Sequence, residues 1–113
     1  MKDDYPLYVH WYSTLDWLLS AVERFPKNVR FSLASRISGI GIDVMEGVIE
    51  SIYSRNRPFL LDKINLNLEK LRIFMRISHD RKYISTRQYE HISQELNKAG
   101  RMTGGWRKSI EKI

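Results

Sequence analysis

Basic side chains are the residues of this chain whose types and spacing could do chemistry. Arg72 and Arg76 are four residues apart in a segment with helical periodicity, so they would lie on one helix face. Further along, the stretch GRMTGGWRK interleaves glycines with basic residues. Such groups can bind phosphates or form salt bridges with acids one turn away, as Arg72 would with Glu69, and the sequence leaves both open. The candidate binding residues are Arg72, Arg76, Arg101, Arg107, Lys108, Arg30 and Arg36.

The overall charge favours an anionic partner. The 113 residues carry a formal net charge of +6, with an isoelectric point near 9.7. The charge is uneven, since residues 1–50 hold five basic and seven acidic side chains whereas residues 51–113 hold fourteen and six. A basic surface of this kind attracts polyanions such as nucleic acids, although solubility alone is the alternative explanation.

The sequence contains no constellation typical of catalysis. It has no cysteine, which excludes a disulfide framework, a cysteine nucleophile and cysteine-ligated metal sites. Its histidines, His10, His79 and His91, form no HxxxH or HExxH motif, and no ExxH pair indicates a di-iron bundle. His79 and Asp80 fall near a predicted helix end, where the helix dipole favours histidine, and we interpret them as structural. We therefore expect no enzyme activity, no cofactor and no metal site.

No segment suggests a membrane or a secreted protein. The longest apolar runs are far shorter than the roughly 18–20 residues of a membrane helix. The N-terminal MKDDYPLYVH lacks the apolar core of a secretory signal. The expectation is a complete cytoplasmic chain that does not enter a membrane.

Apolar residues recur with helical spacing in four segments. The first follows Pro6, a favoured first-turn residue, and ends before Pro26, with Asn28 as the predicted N-cap of the next helix. Its stripe is Leu7, Trp11, Leu15, Leu18 and Val22. The second segment begins near Val29 and closes at SRNRP, before Pro58. Its stripe is Phe31, Ala34, Ile37, Gly41, Val44, Val48 and Ile52.

The third and fourth segments complete the pattern. The third stripe is Leu61, Ile64, Leu68, Leu71, Met75 and Ile77, and SHDRKY then reads as a polar connection. Ser85 and Gln88 form a capping box, and Ile84 and Tyr89 a hydrophobic staple, at the start of the fourth segment. Its stripe is Tyr89, Ile92, Leu96, Ala99, Thr103 and Trp106. Four helices with short connections predict an all-α, up-down-up-down antiparallel four-helix bundle, a single domain over 1–113.

Apolar residues outside these stripes suggest a further interface. Tyr8, Tyr12 and Trp17 lie off the first stripe, and Phe59, Leu60, Leu66, Ile73 and Phe74 lie off the third. A bundle helix needs one apolar face, so the excess favours a partner or a homo-oligomer. Helices that bury two faces within one small bundle are the alternative.

Several stretches resemble the accessory variability determinants of diversity-generating retroelements. The matching stretches are ERFPKNVRFSLASRI, LEKLRIFMRISHD, ISTRQYEHISQELNKAGRM and GGWRKS, in the expected order and spacing. The resemblance implies a four-helix bundle that assembles as a basic, barrel-like homopentamer. It implies binding to the element's reverse transcriptase and template RNA, with DNA as the alternative nucleic acid. It also implies a non-catalytic role in mutagenic cDNA synthesis and retrohoming.

The resemblance also suggests roles for the glycines of GRMTGGW, which match a C-terminal signature of that family. Gly100 and Gly104 would share a helix face and allow a close neighbour to approach. Gly105 could instead end the helix as a left-handed cap, with Trp106 packing back. The glycines between Arg36 and Glu50 depart from the better helix formers expected there, and they either loosen the second helix or let it pack closely.

Three other functions compete with this one. Four-helix bundle proteins of ribosomal RNA intervening sequences share the bundle and the basic character. A purely structural helical oligomer needs no nucleic acid. A small enzyme using His79 and Asp80 is the most remote reading.

Overall fold

The structure, a computed structural model, describes residues 4–111. Four long helices are present: α1 (Pro6–Val22), α2 (Ser35–Tyr53), α3 (Arg57–Asp80) and α4 (Thr86–Glu111). A short 3-10 turn (Lys27–Val29) and a π-helical turn (Arg30–Ala34) join α1 to α2. No strand occurs in this part of the chain, and the all-α four-helix prediction is confirmed.

Each helix packs on its neighbour in the chain, and α1 also packs on α4. The contacts between α3 and α4 pair early residues of one helix with late residues of the other, as antiparallel neighbours would. On α3 and α4, Asp62 meets Arg107 whereas His79 meets Thr86. At one end of the bundle the two turns adjoin, because the rings of Phe25 and Tyr83 lie 5.5 Å apart between centroids.

The core contains the interior positions of the predicted stripes. Its largest fully buried side chain is Trp11, whose indole Nε1 donates a hydrogen bond to the backbone oxygen of Gly41 at 3.0 Å. A Cβ on Gly41 would lie 2.9 Å from Leu15 Cδ1, so this glycine lets α1 approach α2 closely. Gly47 allows a similar approach, because its Cβ would lie 3.0 Å from Ile64 Cγ1. Close packing is therefore the role of these two glycines.

The junction between α1 and α2 differs from the prediction. Asn28 is not an N-cap, since it lies inside the 3-10 turn and no side chain caps either of the turns. Phe31 is not a core residue, because its side chain is 88% exposed. The π-helical turn winds with more residues per turn than an α-helix. Phe31 is therefore out of phase with the stripe that α2 carries from Ala34 onwards.

The α3–α4 turn is built by the backbone. The helix α3 extends to Asp80, so part of the predicted polar connection is helical. Tyr83 N–H donates to the Ser78 oxygen at 2.8 Å, and Lys82 N–H donates to the His79 oxygen at 2.9 Å. These two bonds form a Schellman motif, with Lys82 at φ 64° where glycine is usual.

The side chains at this end of α3 also differ from the prediction. Ile77 was predicted to lie in the core but is 40% exposed. The adjacent Ser78 is fully buried instead. The Ser78 hydroxyl donates to the Phe74 oxygen at 2.8 Å, so a polar residue is satisfied there by its own helix.

The start of α4 has the predicted capping box. Gln88 N–H donates to Ser85 Oγ at 3.1 Å, and Ser85 N–H donates to Gln88 Oε1 at 2.8 Å. Both residues of the predicted staple belong to the core region, Ile84 buried and Tyr89 partly buried. Two N-terminal donors of α4 are thereby satisfied.

The end of α2 is closed by a side chain from the following helix. Arg57 donates from Nε to the Ser51 oxygen at 2.7 Å and from Nη2 to the Ile52 oxygen at 2.9 Å. Carbonyl groups in the last turn of a helix lack helical partners. Arg57 therefore has a structural role at this connection.

Candidate nucleic-acid interface

Arg72 bridges α3 and α4. Its guanidinium donates to Glu69 Oε2 at 3.0 Å, to Asn97 Oδ1 at 3.3 Å and to the Leu96 oxygen at 3.3 Å. A Cβ on Gly100 would lie 2.8 Å from Arg72 Nη2. The close approach expected at Gly100 is confirmed, and the approaching group is this guanidinium. The Arg72 guanidinium is therefore already bonded within the chain, and its bond to Glu69 is also a salt bridge.

Arg107 is engaged in a similar way. Its Nε donates to Asp62 Oδ1 at 3.2 Å, across the α3–α4 seam, and its Nη1 donates to Glu111 Oε1 at 2.9 Å. Two carboxylates neutralise one guanidinium, which leaves little charge for an outside phosphate.

The other five predicted binding residues are exposed and free of such partners. Within residues 4–111 none of them forms an ion pair or a side-chain hydrogen bond. Arg30 lies in the π-helical turn and Arg36 at the start of α2, whereas the rest lie on α3 and α4. The five residues are Arg76, Arg101, Lys108, Arg30 and Arg36.

Two of these residues belong to a basic face on α4. Arg101 and Lys108 are seven residues apart, so they point in nearly the same direction, away from the buried Ile92, Leu96, Ala99 and Thr103. Arg87 and Lys98 have the same direction and are also exposed and unpaired in the described chain. The α4 basic face is the set Arg87, Lys98, Arg101 and Lys108. It includes one carboxylate, Glu90.

Arg87 and Lys98 were not predicted as binding residues. Their signal in the sequence is the spacing of 11, 3 and 7 residues between successive basic positions, which places all four on one side of a helix. The glycines beside this face remain helical. Gly105 has no positive φ, so the predicted left-handed cap is wrong. A Cβ on Gly104 or Gly105 would meet nothing within 4 Å, so neither is a contact point within the chain.

A second group of basic residues surrounds the adjoining turns at one end of the bundle. Arg81 extends its Nε to the Tyr83 hydroxyl at 3.4 Å and lies 5.9 Å from the centroid of that ring. Lys27, Arg30 and Lys82 are exposed nearby in sequence and form no ion pair among the described residues. The turn end is therefore also available to an anion.

His10 and His79 contact other residues of the chain. His10 is buried, and its Nε2 lies 3.0 Å from the Glu95 backbone oxygen, which can only accept, so this nitrogen donates. His79 stacks on Tyr89, with ring centroids 4.7 Å apart and an interplanar angle of 12°, and its Nε2 meets Thr86 Oγ1 at 3.1 Å. Over residues 4–111, no cluster of histidine and acidic side chains has the arrangement of a metal site.

Large apolar side chains lie on the outer surface of α3. Phe59, Leu66 and Ile73 are seven residues apart and are more than half exposed. We call these three residues the α3 apolar stripe. Seven-residue spacing keeps side chains on one line along a helix, which is the pattern of helix association. The wide apolar surface expected for α3 is therefore present, although Leu60 and Phe74 are partly covered.

Comparison with known proteins identifies the family. None of the helices in the described part of the chain has the combined length and apolar character that crossing a bilayer requires. A search among curated proteins gave no match. The model of the bAvd-like family matches residues 9–110, which include nearly all of the four helices described above. The chain therefore belongs to the bAvd-like family.

Proposed function

We propose that this chain is a non-catalytic accessory protein of a diversity-generating retroelement. In this role it binds the element's reverse transcriptase and template RNA and supports mutagenic cDNA synthesis and retrohoming in the cytoplasm. Membership of the bAvd-like family supports an accessory role of the Avd type. The observation that carries the RNA contact is the α4 basic face, whose four cationic side chains have no acidic partner within the described residues.

The α4 basic face suits the backbone of a nucleic acid. Positions 87, 98, 101 and 108 span 21 residues of helix, or about 30 Å at 1.5 Å per residue. Phosphates attract such a row of cations, and the binding free energy then falls as salt rises because counterions are released. Arg30, Arg36 and Arg76 add cationic side chains elsewhere on the surface. Arg72 and Arg107 add little to the positive field, because the carboxylates paired with them offset their charges.

The proposal predicts two interactions that can be measured separately. Fluorescence anisotropy with labelled template RNA should show binding that weakens steeply between low and high salt. Affinity purification with the tagged chain should retain the reverse transcriptase encoded beside it. A dissociation constant that does not change with salt would contradict the RNA contact, and a purification without reverse transcriptase would contradict the polymerase contact.

Self-association is part of the proposal because of the α3 apolar stripe. Three large side chains on one line, each more than half exposed, are most simply covered by a second copy of the chain. Five copies is the number that the family resemblance implies. Light scattering should give several times the 13.5 kDa mass of one chain. Leu66→Glu should lower that mass toward a single chain, because it places a charge in the stripe.

The genomic context separates the remaining alternatives. A neighbouring reverse-transcriptase gene and two near-identical repeats that differ mainly at adenines would support the retroelement role. Flanking ribosomal RNA would instead support a protein of an intervening sequence.

A further inference from the structure

A continuous groove follows the seam between α2 and α3. It has three adjoining parts of about 400, 330 and 270 Å³. Arg36 and Phe74 line both the first and the second part. Asp43, Asn67 and Lys70 line both the second and the third. We call this feature the α2–α3 groove.

Asn67 is an anomaly at the centre of the groove. It is 8% exposed and lies on the buried side of α3, between Ile64 and Leu71. Its side-chain amide forms no hydrogen bond to any other residue of the described chain, and its polar atoms are not fully enclosed by protein. A largely buried amide without a partner destabilises a protein relative to an apolar side chain of similar size. The remaining exposed part of Asn67 lines the groove, so its donor and acceptor are available to a ligand there.

The opposite wall of the groove is open at this level. Gly39 of α2 lines the same part as Asn67, and a Cβ on it would meet nothing within 4 Å. A side chain at this position would project into free space. Unlike Gly41 and Gly47, Gly39 does not serve helix packing, and it therefore leaves room beside Asn67.

Charge divides the groove into two halves. Arg36, Lys70 and Arg81 surround the half that is floored by apolar side chains, Leu33, Phe74, Ile77 and Tyr83. The other half has Glu46 and Glu50 across from Lys63. Asp43 lies between the halves, since it lines both adjoining parts together with Asn67. The basic half therefore suits an anion with an apolar, planar part. The carboxylates of the acidic half would repel further anionic groups of the same ligand.

We propose that the basic half of the α2–α3 groove binds single-stranded nucleic acid. One base lies on the apolar floor, the Asn67 amide hydrogen-bonds to the edge of a base, and Arg36, Lys70 and Arg81 neutralise the flanking phosphates. Asparagine amides pair with base edges in this way, and only unpaired bases expose those edges to a narrow site. This inference rests on the proposed RNA-binding function and assigns it a site and a strand form.

The test uses two variants that change opposite walls of the groove. Asn67→Leu removes the amide at nearly constant volume, and Gly39→Leu fills the open space from α2. Each should weaken binding to single-stranded RNA about five- to tenfold, the loss of one hydrogen bond to a base. Neither should lower the melting temperature, and Asn67→Leu should raise it. The matched control is Asn65→Leu, which changes an amide of α3 that does not line the groove.

A second readout locates the RNA directly. Single-stranded RNA containing 4-thiouridine should cross-link to peptides from 29–36 or 74–83 of the wild-type chain, and duplex RNA of the same sequence should not.

The outcomes distinguish this inference from the function on which it rests. Wild-type protein that binds no RNA would overturn the proposed function itself. RNA binding that is unchanged in both groove variants, with cross-links confined to α4, would overturn the groove assignment and leave the proposed function intact. Groove variants that bind RNA normally and lose the reverse transcriptase would assign the groove to a protein segment and also overturn it.

Discussion

Arg101 and Arg107 lie six residues apart on α4 and provide a matched pair of substitutions. Arg101 belongs to the α4 basic face and has no partner among the described residues, whereas Arg107 is bonded to Asp62 and Glu111. If the α4 basic face contacts phosphates, Arg101→Ala should weaken RNA binding. Arg107→Ala should have little effect on it, because it removes a cation already neutralised by carboxylates.

The size of the effect follows from counterion release. Each phosphate neutralised on a single strand contributes about −0.7 to the slope of log K against log salt, so the four side chains of the face contribute about −2.8. From this face alone, a fourfold rise in salt should weaken binding about fifty-fold in the wild type and about twenty-fold in Arg101→Ala. The slope of Arg107→Ala should equal that of the wild type. Its free energy of unfolding should fall by less than about 1 kcal/mol, because the pairs it loses are largely exposed.

The assay is fluorescence anisotropy with labelled single-stranded RNA at four or five salt concentrations. Thermal melts of all three proteins serve as the control for folding. Equal slopes for the two variants would refute the idea that intrachain pairing decides which arginines contact RNA. A wild-type slope near zero would refute phosphate contact by the face altogether.

Four further predictions concern stability and are measured by urea denaturation. Gly39→Ala should stabilise the chain by about 0.5–1 kcal/mol, because alanine favours a helix and the site is open. Gly41→Ala should instead destabilise it by about 1–3 kcal/mol, since its Cβ would press on Leu15; equal shifts would contradict the packing role. Lys82→Gly should stabilise the turn by about 1 kcal/mol through the left-handed φ, and no gain would show that the turn is unstrained. Arg57→Ala should cost about 1–3 kcal/mol because two carbonyl groups lose their donor, whereas Arg57→Lys should restore part of that loss.

The helix pattern was readable from the sequence because burial follows the helical period. Leu61, Ile64, Leu68, Leu71 and Met75 were predicted as one stripe and are all buried. The errors lie at helix ends, where the period breaks. Phe31 falls in a π-helical turn. At the end of α3 the buried residue is Ser78, which bonds to its own helix, and not Ile77.

The candidate site was less predictable because its geometry depends on contacts between helices. The sequence indicated the pair of Glu69 and Arg72, which are three residues apart. It gave no sign that Arg107 reaches Asp62, 45 residues away. Asn67 did have a signal, since it interrupts the apolar positions 64, 68 and 71 on their own side of α3. A lone polar residue among core positions becomes informative only when the structure shows that nothing in the described chain bonds to it.

The π-helical turn between Arg30 and Ala34 changes the direction in which side chains point before and after it. Relative to an α-helical turn it accommodates one additional residue, so the segment before it can rotate without rotating α2. The connection after α1 can therefore change in length without rotating the apolar stripe of α2. Among relatives, insertions or deletions of single residues should accordingly concentrate here. The bundle interior would keep its register while the exposed side chains at this end, Phe31 among them, are free to diverge.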